Sequence, residues 1–163
     1  MTAAQRMSLQ YVLLFGATGV SLPFAGLWLS AQGLSGAQIG TVLAAPMLAR
    51  IITGPLLAVW ADGFRLRRTP IALLGLIMAL GYSLAGLADG FALRAVGWFI
   101  GATAMGVLVP LTDVMTLRLA SRLGFTFARP RGMGSAAFVV ANIGMGVLLL
   151  TTPVDGIIVW IVV

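Results

Sequence analysis

Charged residues fall in a few short clusters, and the intervals between them are long and apolar. A helix that crosses the hydrocarbon core needs about 20 mostly apolar residues, so the intervals read as spans and the clusters as links. Residues 7–49 run for 43 positions without a charge, enough for two crossings, with Gln32-Gly33-Leu34-Ser35-Gly36 as the one polar, glycine-rich turn inside them. A first helix is therefore predicted over 9–31 and a second over 37–61, closing at the charged stretch 62–68. A third is predicted over 69–88 and a fourth over 93–120. After a polar link at 121–126 a fifth follows over 127–150, with Pro130 in the first turn, where a missing N–H is harmless. Residues 151–156 read as a turn and 157–163 as an incomplete sixth helix. The expected fold class is an all-α membrane protein with a single transmembrane domain over 1–163.

Composition supports this. Hydrophobic residues make up 60% of the chain and charged ones 9%, against about 45–50% and about 25% in soluble domains. The mean hydropathy is +1.08. The apolar run near the N-terminus is too long for a cleavable signal peptide, and no small-residue cleavage site follows it. Cysteine and histidine are absent, which excludes Cys/His metal sites, disulfides, thiol catalysis and a serine–histidine relay. The acids are four aspartates, and no two of them converge in one span. The expectation is a non-enzyme without cofactor or metal.

The net charge of +6 comes from ten arginines and no lysine. Most stand between spans, which points to inner-face loops beside anionic lipid and not to nucleic acid. A cytoplasmic N-terminus puts Arg6, Arg65, Arg67, Arg68, Arg118, Arg122, Arg129 and Arg131 on or near the inner side and Arg94 outside. Trp28, Trp60, Trp98 and Trp160 stand near predicted helix ends, where an aromatic belt would place them.

A charge within the bilayer costs at least a few kcal/mol and needs a reason. Asp113 lies inside the fourth span and Arg131 just inside the fifth. A short link makes these spans antiparallel neighbours, so the two charges can meet. They read either as an ion pair locking two helices or as a polar anchor that faces a cavity and holds a substrate. Arg50 lies too deep in the second span to snorkel to water. It is expected to face a cavity, a carbonyl cluster or an acid such as Asp113, as a fold-stabilising or a functional group. Glycines such as Gly19, Gly81 and Gly101 suit close helix contacts. Pro23, Pro46, Pro55 and Pro110 free backbone carbonyls inside the spans.

Three segments carry a family resemblance. The stretch Asp62-Gly63-Phe64-Arg65-Leu66-Arg67-Arg68 resembles the loop motif of the major facilitator superfamily; Asp62, Arg67 and Arg68 agree with it in kind, and Ala58 stands at its first glycine. Phe125-Thr126-Phe127-Ala128-Arg129-Pro130-Arg131-Gly132-Met133-Gly134-Ser135 is similar to the start of helix five in the branch of lactose permease and the phenylpropionate permease-like proteins. Asp113 precedes Arg131 by 18 residues, as the acid of helix four does in that branch. The run from Leu22-Pro23-Phe24 through Gly33-Leu34-Ser35 to Ile39-Gly40 is similar to the same group. The resemblance implies a major facilitator-type N-terminal bundle, five helices and the start of a sixth, as a fragment of a twelve-helix transporter.

It further implies Asp113, Arg131 and Arg50 as substrate-binding residues and Asp62, Arg67 and Arg68 as a gating loop. The function expected from it is secondary, proton-coupled transport of a small organic solute (organic acid, sugar or nucleoside-like). The location would be a bacterial inner membrane, and the partner a missing C-terminal six-helix half. The alternative from a different class is a small non-transporting membrane scaffold or helper subunit.

Overall fold

The computed structural model describes residues 1–162. It contains six helices: α1 (Ala3–Ala31), α2 (Gly36–Asp62), α3 (Arg68–Leu87), α4 (Phe91–Leu123), α5 (Ala128–Leu148) and α6 (Gly156–Val162). The first five are long and apolar enough to cross a membrane, α6 is short, and the described residues contain no strand. The chain is a multi-pass, all-helical membrane protein. Val163, the last position of the predicted sixth helix, lies outside the described residues.

Local chemistry sets the helix ends. Thr2 and Gln5 form a capping box at the start of α1, and Ser35 and Gln38 form another at the start of α2. The first box explains why α1 begins at Ala3, ahead of the apolar span read from the sequence. Polar residues continue a membrane helix past the hydrocarbon once its first amides are satisfied. Likewise α4 runs on through Arg118 and Arg122 to Leu123, where Gly124 takes a left-handed conformation (φ 70°) and ends it.

The helices pack as α1 on α5, α3 on α4 and α2 on α4, with α6 seated between α1 and α3. Small residues permit the closest contacts, as expected where lipid gives helices little hydrophobic reason to associate. A Cβ on Gly81 would lie 2.5 Å from the Gly101 nitrogen, one on Gly97 2.5 Å from the Ala85 nitrogen, and one on Gly19 2.5 Å from the Phe138 carbonyl oxygen. The main core cluster includes Trp28, Leu29, Tyr82, Trp98, Met145, Ile157 and Ile161. Leu13, Leu22, Met47, Ile51, Val59, Val140 and Ile143 point outward, an arrangement that costs nothing where apolar side chains meet hydrocarbon.

One expectation is corrected here. Trp28 and Trp98 do not form an interfacial belt: they are buried and stack on each other at 5.9 Å, with the Tyr82 ring edge-on to Trp98 at 5.1 Å. Only Trp60 and Trp160 remain exposed. Arg94 does not face solvent. It is 6% exposed and turns back onto the last carbonyls of α3, because that helix end and the start of α4 are joined by only three residues, 88–90.

Candidate functional site

Tyr11, Asp113 and Arg131 meet where α1, α4 and α5 converge. Asp113 stands ten residues from the C-terminal end of α4, about 15 Å along the axis. Arg131 stands in the first turn of α5 and reaches across to it, its Nε lying 3.5 Å from Asp113 Oδ1. The same oxygen accepts a 2.6 Å hydrogen bond from the Tyr11 hydroxyl. Arg131 lies over the Phe15 ring at 4.3 Å from its centroid and beside Tyr11 at 5.8 Å, and its Nη1 is 3.5 Å from the Ser135 hydroxyl. Below Tyr11 on α1, Gln10 donates to the fully buried Thr112 at 3.1 Å and ties α1 to α4 beside the acid.

The pair is held but not saturated. Both side chains are 31% exposed, and among the described residues no hydrogen bond engages Arg131 Nη2 or Asp113 Oδ2. A half-screened pair at 3.5 Å is worth about 1 kcal/mol or less, so a ligand can compete for either partner. Phe15 gives the guanidinium an aromatic floor worth about 0.5–1 kcal/mol. The arrangement offers a fork of N–H donors beside a carboxylate acceptor, suited to a carboxylate, a hydroxyl pair or an amide. Gly134 lets α5 come this close: a Cβ there would lie 3.1 Å from both Phe15 and Tyr11 side chains.

Arg50 does not join this cluster. It gives Nη2 to the Gly106 carbonyl of α4 at 2.6 Å, beside a cleft of about 310 Å³ lined by Gly54, Pro55, Ala58, Pro110 and Leu111. Gly106 and Asp113 are seven residues apart, so Arg50 and Asp113 address one stripe of α4 from levels about 10 Å apart. Asp62 and Arg67 form an ion pair beside a second cleft of about 260 Å³, which Arg118 also lines. Arg68 begins α3 and is not among that cleft's lining residues.

Tyr11, Phe15 and Gln10 escaped the sequence reading. Their only sequence signal was a polar or aromatic side chain inside an apolar span, and their partners stand about a hundred residues away in the chain, |i−j| = 102 for both Gln10–Thr112 and Tyr11–Asp113.

A family model described as "MFS_1 like family" matches residues 4–163. The chain is similar to the maltose permease of Geobacillus stearothermophilus, 29% identical over 140 residues that cover 83% of this chain and 35% of that protein. It is also similar to the probable 3-phenylpropionic acid transporter of Escherichia coli (strain K12), 30% identical over 146 residues covering 88% of this chain and 38% of that protein. The chain thus spans little more than a third of the length of these curated relatives. No solved structure gives a significant match.

Proposed function

The chain belongs to the MFS_1 like family of the major facilitator superfamily, and from that premise we propose that it is the N-terminal portion of a secondary transporter moving a small organic solute across the bacterial cytoplasmic membrane. The observation that carries the reading is the Asp113–Arg131 pair: two intramembrane charges, each about one third exposed, braced by Tyr11 and Phe15 and retaining unused hydrogen-bonding capacity. Charges at that depth are expensive unless a cavity or a ligand uses them.

In this account Arg131 and Asp113 hold the solute, and Arg50 adds positive charge higher on the same face of α4. Two guanidiniums against one carboxylate favour an organic acid over a sugar or a nucleoside-like compound. The solute named for the Escherichia coli relative is such an acid, and that named for the Geobacillus relative is a sugar. Asp62, Arg67 and Arg68 belong to the loop that latches the inner side, with the N-terminus in the cytoplasm. The remaining six-helix half rocks against this one, and protons drive the cycle.

The test is uptake and binding by the full-length protein with 3-phenylpropionate and maltose as probes. Arg131→Ala is expected to abolish binding of the transported probe while membrane insertion stays normal. Binding that survives this substitution unchanged removes Arg131 from the site.

A further inference from the structure

Arg50 stands near the middle of α2, and its one hydrogen-bond partner among the described residues is the Gly106 carbonyl, at 2.6 Å. The sequence itself leaves that carbonyl without its usual donor. Residue 110, four positions on, is proline; it has no N–H to return, and its ring crowds the same oxygen. In hydrocarbon an unpaired carbonyl finds no water and needs a donor from a neighbouring helix. A guanidinium at that depth has the complementary need for an acceptor. The absent side chain at Gly106 gives the two room to meet: a Cβ there would already touch Arg50, 3.5 Å from Nε and 3.6 Å from Cζ. Asp113 follows Pro110 on the same stripe of α4, so the direction α4 takes beyond Pro110 decides how Asp113 faces Tyr11 and Arg131.

We propose that Arg50 is a positioning residue, whose bond to the carbonyl released by Pro110 fixes the bend of α4 and thereby holds Asp113 opposite Tyr11 and Arg131. This deepens the reading of Asp113 and Arg131 as the solute site, but the geometry can be tested with no solute present. Helix kinks of about 20° or more are characteristically found at proline, and α4 from Pro110 to Leu123 is roughly 20 Å long. Straightening the bend would carry the tip of α4 by about 7 Å.

These 163 residues hold no cysteine, and any cysteine elsewhere in the full-length protein is replaced by serine before labels are introduced. The experiment measures two distances in the full-length protein by pulsed electron spin resonance: Leu123→Cys to Ile143→Cys, from the inner tip of α4 to a reference in the outer half of α5, and Val96→Cys to Ile143→Cys, within the outer half, as the control. All three sites are exposed. Arg50→Ala is expected to broaden the first distribution and leave the second narrow. Pro110→Ala restores an amide to Gly106 and gives a narrow distribution, displaced by up to about 7 Å. Arg50→Ala added to Pro110→Ala should change nothing further. Equal broadening by Arg50→Ala in both backgrounds, or none in the native background, overturns the proposal. If Arg50→Ala does not yield folded protein, Arg50→Gln, too short to span to Gly106, replaces it with the same expected outcomes.

Discussion

Arg94 fastens the end of the bundle where α3 passes into α4, and its removal gives a stability loss whose size follows from its contacts. Its Nη2 donates to the Ala88 carbonyl at 2.8 Å and to Gln32 Oε1 at 3.0 Å, and its Nε donates to the Ala85 carbonyl at 3.3 Å. One carbonyl belongs to the last turn of α3 and the other to its C-cap residue, where orphan acceptors and the negative dipole end suit a cation. The guanidinium also lies 5.7 Å from the centroid of the Trp28 ring, and Gln32 passes the contact on to Asp155 at 2.8 Å. Arg94→Met keeps the apolar stem and removes all three donations. Gln32 is partly exposed and can turn to water, but Ala85 and Ala88 are buried. Two bonds from a charged donor at about 1.5–3 kcal/mol each and a cation–π contact of about 1 kcal/mol give a loss of roughly 4–7 kcal/mol. At about 2–4 °C per kcal/mol for a chain of this size, Tm should fall by on the order of 10 °C or more. The assay is thermal unfolding of the purified protein in detergent, followed by circular dichroism. Gln32→Ala and Asp155→Asn, which leave the carbonyls satisfied, should each cost about 1 kcal/mol. An unchanged Tm for Arg94→Met refutes the reasoning, and so does a loss as large for Asp155→Asn.

Other consequences are equally open to measurement. Gly81→Val and Gly19→Val should each destabilise by about 1–3 kcal/mol, because even a Cβ would press on backbone at 2.5 Å, whereas Gly75→Ala, with nothing within 4 Å, should be neutral in the same melts. Phe15→Leu removes the aromatic floor under Arg131 and should weaken solute binding about two- to fivefold by isothermal titration. Tyr11→Phe, which keeps the buried ring but deprives Asp113 of a 2.6 Å donor, should weaken binding on the order of tenfold and cost about 1 kcal/mol of stability. Labelling of a cysteine at Arg118 should require a reagent that crosses the membrane; modification by an impermeant one from outside would reverse the orientation.

Much of the fold was legible because a bilayer imposes a coarse rule, apolar runs of span length separated by charges, and five helices obey it. Helix ends departed where capping won: the Thr2–Gln5 box carried α1 to Ala3, and Gly124 let α4 continue to Leu123. Asp113 and Arg131 stood out because a charge inside a span is rare, and the short α4–α5 link made their meeting expected. Arg50 was legible only in part. The rule that proline frees a carbonyl four residues back points from Pro110 to Gly106, but which arginine takes that carbonyl depends on how α2 lies against α4. Trp28 and Trp98 were misread because hydropathy gives depth in the membrane, not which way a side chain turns, and the inward turn of Arg94 was illegible for the same reason. Tyr11, Phe15 and Gln10 join the site through the packing of α1 on α4 and α5, which no local pattern announces.

The most direct test of the central claim is solute protection at Ser135, the hydroxyl 3.5 Å from Arg131 Nη1. In the full-length protein Ser135→Cys is the sole thiol in this segment, and its alkylation rate is read with and without saturating transported solute. The account predicts marked slowing by the solute, lost when Arg131→Ala is added. An alkylation rate at Ser135→Cys that is the same with and without solute, in a protein that still transports it, would contradict a site at Tyr11, Asp113 and Arg131.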